Sequence, residues 1–280
     1  MKPLAYRKSI NIFMLSLCVL ATVIAIIPLF SITWYVLTQG LPALNMDFLT
    51  NLPTPVGEPG GGMANAIVGT LIVVAISSAI GIPVGVMSGI FLSEYGRNRL
   101  GRVVSFATDI LLGAPSIVVG IFTYGVVVVS LGVGFSALAG GIALAIIMIP
   151  NVTRTTEEML KLVPSHIREA GLALGLPRWR VILLVVLPSA LKGITTGIML
   201  AVARVSGETA PLLFTAFSSR YFAEDIIDEP IATLPVQIYN YSIAPYDDWN
   251  AQAWAGALVL IMLVFLLNIM ARLVTFRRNG

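Results

Sequence analysis

The sequence predicts an all-α, polytopic membrane protein with six transmembrane helices and both termini on the cytoplasmic side. Three observations predict it. First, 57% of the 280 residues are hydrophobic and only 11% are charged, where a soluble domain has about a quarter of its residues charged. The mean hydropathy of +0.92 agrees. Second, six stretches reach or approach the roughly 20 apolar residues that cross a hydrocarbon core. Third, the basic residues collect in alternate connections between those stretches.

The first stretch, 12–37, follows Lys2, Arg7 and Lys8. Its apolar run of about 26 residues exceeds the 7–15 of a signal-peptide core, so it reads as a retained helix. It holds Cys18, the single cysteine, which has no partner for an internal disulfide. Residues 38–65 contain NLPTPVGEPGGG, too rich in Pro and Gly for regular structure. Residues 1–64 thus form an N-terminal helix and loop, and 65–275 form a core of five further helices. The second stretch, 66–93, places Ser77, Gly81, Gly85 and Gly89 at every fourth position. Such a stripe lets another helix approach closely, and Pro83 beside it favours a kink. The third, 105–130, carries Asp109 near one end, suited to a cap or an ion pair. The fourth, 135–151, is short. The fifth, 193–217, holds Arg204 and Glu208, and the sixth is 253–275.

Charge sets the orientation. Lys2, Arg7, Lys8, Arg97, Arg99, Arg102, Arg154, Lys161, Arg168, Arg178, Arg180, Lys192, Arg272, Arg277 and Arg278 all fall on one side, leaving Arg220 on the other and Arg204 within a span. The positive-inside rule puts the basic side, with both termini, in the cytoplasm. The outer loop 218–252 carries Glu224, Asp225, Asp228, Glu229, Asp247 and Asp248. Those acids would repel an anion; solvation or docking to another protein suits them better. Basic residues scattered among loops make no nucleic-acid surface.

The largest inner loop, 152–192, contains VPSHIREAGLALGLPRW. Ser165 can cap a short helix, Gly175 can end it and Pro177 blocks its continuation. Ile167, Ala170 and Leu174 share one face. That face fits a groove on a partner or the membrane surface equally well. His166, the only histidine, reads as a surface or docking residue.

These residues carry a resemblance. Glu169, Ala170 and Gly171, then Gly175, then Val185, Leu187 and Pro188 follow the spacing E-A-A, three residues, G, nine residues, I-x-L-P. The pattern resembles the cytoplasmic loop motif of binding-protein-dependent ABC importer permeases, with Gly171 for the second Ala and Val185 for Ile. Residues 65–96, APSIVVGIF at 114–122, MIPNVTRTTEEML at 148–160 and GETAPLLFTAF at 207–217 are similar to the phosphate branch of that family. The resemblance implies the type I importer permease fold and a role as the permease subunit of an inorganic phosphate importer in the bacterial inner membrane. It implies a second homologous permease, a cytoplasmic ATPase dimer and a periplasmic phosphate-binding protein as partners. It also implies that Ser165, Ile167, Glu169, Ala170, Gly171, Leu174 and Gly175 couple the chain to the ATPase. The chain has no Gly-Lys pair, hence no phosphate-cradling loop of the G-x-x-x-x-G-K-[ST] kind. ATP and Mg are expected in the partner, with no cofactor, metal or catalytic residue in this chain.

A helix starting near Gly193 puts Arg204 about 16 Å in, close to mid-membrane. A charge there costs about 2.5–3.5 kcal/mol on insertion scales, so the pair should face protein or a watery path. Residues four apart share a helix face, and Gly197, Ala201, Pro211 and Thr215 fall near the same stripe. Arg204, Glu208 and Thr215 are therefore the candidate substrate pathway. Arg204 could hold a passing oxyanion by its planar fork, or Arg204 and Glu208 could neutralise each other or bridge to a second permease. Another oxyanion (sulfate, molybdate or phosphonate) suits the same arginine. A channel or secondary transporter would leave the loop helix without a docking role. A membrane-embedded enzyme is disfavoured, because no His, Cys or acid cluster lies in the spans.

Overall fold

The computed structural model of the chain describes residues 3–55, 58 and 60–277, all helix, turn or loop, with no strand among them. Five helices are long and apolar enough to cross a membrane, and a sixth crossing results if one bent pair counts as a single span. Helix α1 (Leu4–Gly40) leads through a short helix α2 (Met46–Thr50) to α3 (Ala64–Tyr95). Then come α4 (Arg99–Gly113), α5 (Ser116–Thr123, extended by a π-helical stretch to Ser130) and α6 (Ala137–Lys161). The short α7 (Ser165–Ala173) is followed by α8 (Arg178–Val181), which runs through a π stretch into α9 (Leu187–Ser206). The chain ends with α10 (Ala210–Thr215), α11 (Leu234–Ser242) and α12 (Asp247–Arg277).

The expected spans are present, with three corrections. The third is broken: α4 and the helix from Ser116 to Ser130 meet at 107°. Ala114 is extended (ψ 132°) because it precedes Pro115, whose ring disfavours α backbone in the residue before it. The crossing starts at Ser116, so 105–113 belongs to α4. This helix turns Leu100, Val103, Phe106 and Ile110 outward along one side, the pattern of a helix lying in a membrane interface. Second, α6 runs ten residues past the predicted end. The sequence of that extension is polar, yet Val152, Thr153, Thr156, Glu157 and Leu160 are buried. Third, the fifth long helix begins at Arg178, not near Gly193. The inner loop outside long helices is therefore 162–177 rather than 152–192.

Helices α3 and α6 form the tightest seam. A Cβ on Gly81 would lie 3.1 Å from Met148 Cβ, on Gly85 2.7 Å from Val152 Cβ, and on Gly89 2.6 Å from Thr156 Cβ. The small stripe read from the sequence is this packing surface, and α3 runs through Pro83 unbroken. The main core lies where α3, α6, α9 and α10 meet, at Val73, Leu144, Met148, Val152, Val205 and Leu212. A second core joins Phe48, Met63, Leu234 and Tyr241 at the acidic end. A third, of Leu160, Val181, Val186 and Ile194, underlies α7 at the basic end. By contrast, α1 is exposed from Tyr6 to Tyr35 in the single chain. It is held at its far end, where Gly40 meets the Trp254 backbone and the rings of Tyr35 and Trp254 meet edge to face at 5.0 Å.

Candidate functional site

Arg204 sits in the last turn of α9, which runs antiparallel to α6. Gly193 lies against Met159, Gly197 against Thr155, and Gly140 against Leu212 and Ala216 of the following segment. The Ser136 N–H donates to the Thr215 carbonyl at 3.0 Å. That register brings Arg204 beside Asn151, with Nη1 3.4 Å from Oδ1. At 1.5 Å per residue, Asn151 is about 21 Å from Ala137 and about 15 Å from Lys161. The helix start at Arg178 removes the depth counted from Gly193, and the contact with Asn151 instead sets Arg204 level with the middle of α6.

The helix breaks immediately after Arg204. Gly207 caps α9, and the Gly207 and Glu208 N–H groups donate to the Arg204 and Val205 carbonyls at 3.2 Å, tightening the last turn. Helix α10 restarts at Ala210 with Pro211 in its first turn, where a missing N–H costs nothing. Glu208 thus lies in the break. Its Oε1 is 3.8 Å from Arg204 Nε, with the two side chains 17% and 53% exposed. That separation is beyond a hydrogen bond. The carboxylate offsets the charge of the half-exposed cation without closing its fork. Among the described residues, only Asn151 and Glu208 approach the guanidinium, so most of its five N–H donors point into open space beside α9.

The predicted stripe does not hold together. Thr215 is fully buried and donates its hydroxyl to the Pro211 carbonyl at 2.8 Å. Gly197, Ala201 and Pro211 are buried with it, facing α6 or α5. The stripe assumed one continuous helix, and the break at 207–209 turns the residues of α10 to a different facing. Thr215 therefore shares no open face with Arg204, whereas Asn151 of α6 meets it.

At the basic end, α7 forms as the sequence predicts, with one change of cap. Pro164 holds the N-cap position and Ser165 is the first helical residue, with no side-chain cap. The other end closes on Gly175 at φ 79°. Its N–H donates to Leu172 O at 2.9 Å, and Leu176 N–H donates to Gly171 O at 3.4 Å, a Schellman pair that glycine alone adopts without strain. The expected apolar face divides. Ile167 packs inward on the third core, and Gly171 lies against Val181. Ser165, His166, Glu169, Ala170, Leu172 and Leu174 are exposed, Leu174 at 82%. An 82% exposed leucine at the C-cap of α7 is an unused apolar surface. Among the described residues no cluster of His, Cys, Asp or Glu could hold a metal ion.

Two ion-pair groups escaped the sequence reading. Arg154 pairs with Asp109 of α4 and with Glu157 at 2.6 Å, and Lys161 reaches Glu157 at 2.6 Å. Asp109 is therefore half of an ion pair, one of its two expected roles. The i, i+3 and i, i+4 spacing of Arg154, Glu157 and Lys161 was a usable signal. The second group joins Arg168 to Glu94, 74 residues apart, which no local pattern reveals.

Comparison with known proteins places these features in a family. Residues 81–280 match the model of the binding-protein-dependent transport system inner membrane component. The chain is similar to the phosphate transport system permease protein PstA of Haemophilus influenzae, 46% identical over 96% of this chain and 94% of that one. The PstA of Yersinia pestis is 44% identical over 99% and 94%. PstA 1 of Mycobacterium tuberculosis H37Rv is 37% identical over 98% and 91%. Among solved structures, a chain of the MetNI methionine ABC transporter in an inward-facing conformation superposes with a TM-score of 0.61 at 20% identity, covering 76% of this chain and 95% of that one. A chain of an amino acid ABC transporter matches at 0.55 and 16% identity over 78% and 94%. Those two likenesses concern the fold.

Proposed function

The chain belongs to the family of binding-protein-dependent inner-membrane transport components, and from that premise we propose that it is the permease subunit of an ATP-driven importer of inorganic phosphate. It is a multi-pass protein of the bacterial inner membrane. Its basic end faces the cytoplasm, where the exposed face of α7 docks on a separate ATPase that binds ATP and Mg. Its acidic end faces the periplasm and a phosphate-binding protein. A second, homologous permease completes the pathway beside α9.

One observation carries the phosphate step: the open guanidinium of Arg204, level with the middle of α6 and beside a helix break. A planar fork with free donors matches two oxygens of a phosphate. Glu208 offsets the arginine's charge and weakens its grip, so the anion enters and leaves. Broken helices are tolerated at membrane depth where they face protein or a watery cavity, and the break at 207–209 supplies such a place. Asn151 steadies the fork from α6.

The test is ATP-dependent uptake of labelled phosphate by the complete complex in liposomes. Uptake should vanish without the binding protein, fall at least tenfold for Arg204→Gln and fall less for Arg204→Lys. Excess sulfate or molybdate should not compete. Normal transport by both arginine variants would remove the pathway role, and equal competition by sulfate would move the substrate to oxyanions at large.

A further inference from the structure

The exposed loop helix is fastened to the rest of the chain by one buried carboxylate. Glu94 lies in the last turn of α3 with its side chain 5% exposed. Arg168 of α7 meets it side-on: Nε is 3.0 and 3.3 Å from the two oxygens, and Nη2 is 2.7 Å from Oε1. The same guanidinium donates from Nη2 to the Leu160 carbonyl at 2.7 Å and from Nη1 to the Val163 carbonyl at 2.6 Å, both at the end of α6. Arg178, first residue of α8, donates to the Glu94 carbonyl and lies over the Tyr95 ring, 4.7 Å from its centroid. Helices α3, α6, α7 and α8 therefore meet at the Arg168–Glu94 pair.

The other attachments of α7 differ in kind. Ile167 and Gly171 touch Val181 and its core by apolar contact alone. Apolar contacts are non-directional, so they resist sliding poorly. A bidentate, charge-assisted pair with further donors to two carbonyls fixes direction as well as distance. Beyond it, α3 and α6 are closely packed along the glycine seam.

We infer that the Arg168–Glu94 pair is the joint that passes movement of α7 to the α3–α6 body, making both positioning residues for transport. The inference rests on the docking of α7 to an ATPase. Breaking the joint should leave ATP hydrolysis running while less phosphate moves for each ATP consumed.

The experiment compares variants of the reconstituted complex by phosphate moved per ATP hydrolysed. Glu94→Gln preserves shape and removes the charge; Arg168→Lys preserves charge and removes the fork. Each should assemble with the ATPase and lower the ratio at least fivefold. The double variant should be no worse than the worse single one, because the two act as a unit. Glu157→Gln breaks another buried pair on α6 that does not reach α7, and should lower thermal stability without changing the ratio. An unchanged ratio in assembled Glu94→Gln or Arg168→Lys, or an equal drop in Glu157→Gln, would overturn the joint. Ala170→Arg tests the premise separately. It should block ATPase association, and undiminished association would remove the docking reading and the joint with it.

Discussion

Replacing Gly85 by alanine adds one methyl group at the centre of the α3–α6 seam. The new Cβ would lie 2.7 Å from Val152 Cβ, 2.8 Å from Val152 Cγ1 and 3.1 Å from the Ile149 carbonyl oxygen. Carbon atoms pack best at about 3.5–4.0 Å, so roughly 1 Å must be recovered. Val152 is fully buried, and a β-branched residue in a helix has one strongly preferred rotamer. It cannot swing aside, so the helices must part. Overpacking of this kind costs about 1–3 kcal/mol, or a fall in melting midpoint of roughly 2–10 °C for a chain of this size. Gly81→Ala should cost less, because its contacts are the Sδ, Cβ and Cγ atoms of Met148, a side chain that adapts readily. Gly125→Ala meets nothing within 4 Å and should be neutral or slightly stabilising, as a helical Gly→Ala change usually is. Melting of the three variants in detergent, followed by loss of the monodisperse peak after heating, reads the order. Equal midpoints for Gly85→Ala and Gly125→Ala would refute the claim that the seam is close-packed.

Gly175→Val should weaken ATPase association more than Gly175→Ala, and both more than Gly175→Asn. The position requires φ 79°, which costs an ordinary residue about 1–2 kcal/mol and Asn less; a pull-down of the ATPase with each variant checks the ranking. Glu157→Ala should destabilise the chain by about 1 kcal/mol, since Arg154 keeps Asp109 and Lys161 is largely exposed; heat denaturation in detergent measures it. Tyr241 is buried beside Trp249, their rings stacked at 4.4 Å. Burial raises its pKa above the usual 10, opposed by a hydrogen bond with Gln237 and the charge of Arg220. The folded chain therefore holds this proton longer than the unfolded chain does. Stability from this group is complete below pH 10 and lost as pH rises through the folded value. Tyr241→Phe should remove that part of the alkaline loss in a series of melting curves.

The spans were legible because hydropathy reports burial in lipid directly. Their ends were not. Residues 152–161 and 178–192 look like a polar loop, yet they continue long helices. Glu157, buried between Arg154 and Lys161, is the case in point: composition sees scattered charges, where the fold sets two cations against Glu157 and Asp109. The bend at Pro115 could have been read, since a residue before proline avoids α backbone. The end of α7 was read correctly for that kind of reason, a local rule about Gly175. Thr215 went astray because an angular count holds only within one helix, and Gly207 interrupts it. Glu94 and Arg168 lay beyond reach, because nothing local says which chain segment will meet which.

The polar contacts of α6 suggest why so apolar a helix keeps them. Going from mid-helix to its end, Asn151 meets Arg204 of α9, Arg154 meets Asp109 of α4, and Glu157 meets Lys161. The Leu160 carbonyl then receives Arg168 of α7. Each cross-helix contact ties α6 to a different element, and the strengths are unequal. The bonds of Arg168 to Glu94 and to the end of α6 span 2.6–3.3 Å, whereas the link to Arg204 is a single long bond of 3.4 Å. If the α3–α6 body moves with α7, the contact that yields first is the one at Arg204. The guanidinium would then lose its partner on α6, while the glycine seam and the Arg168–Glu94 pair stay closed.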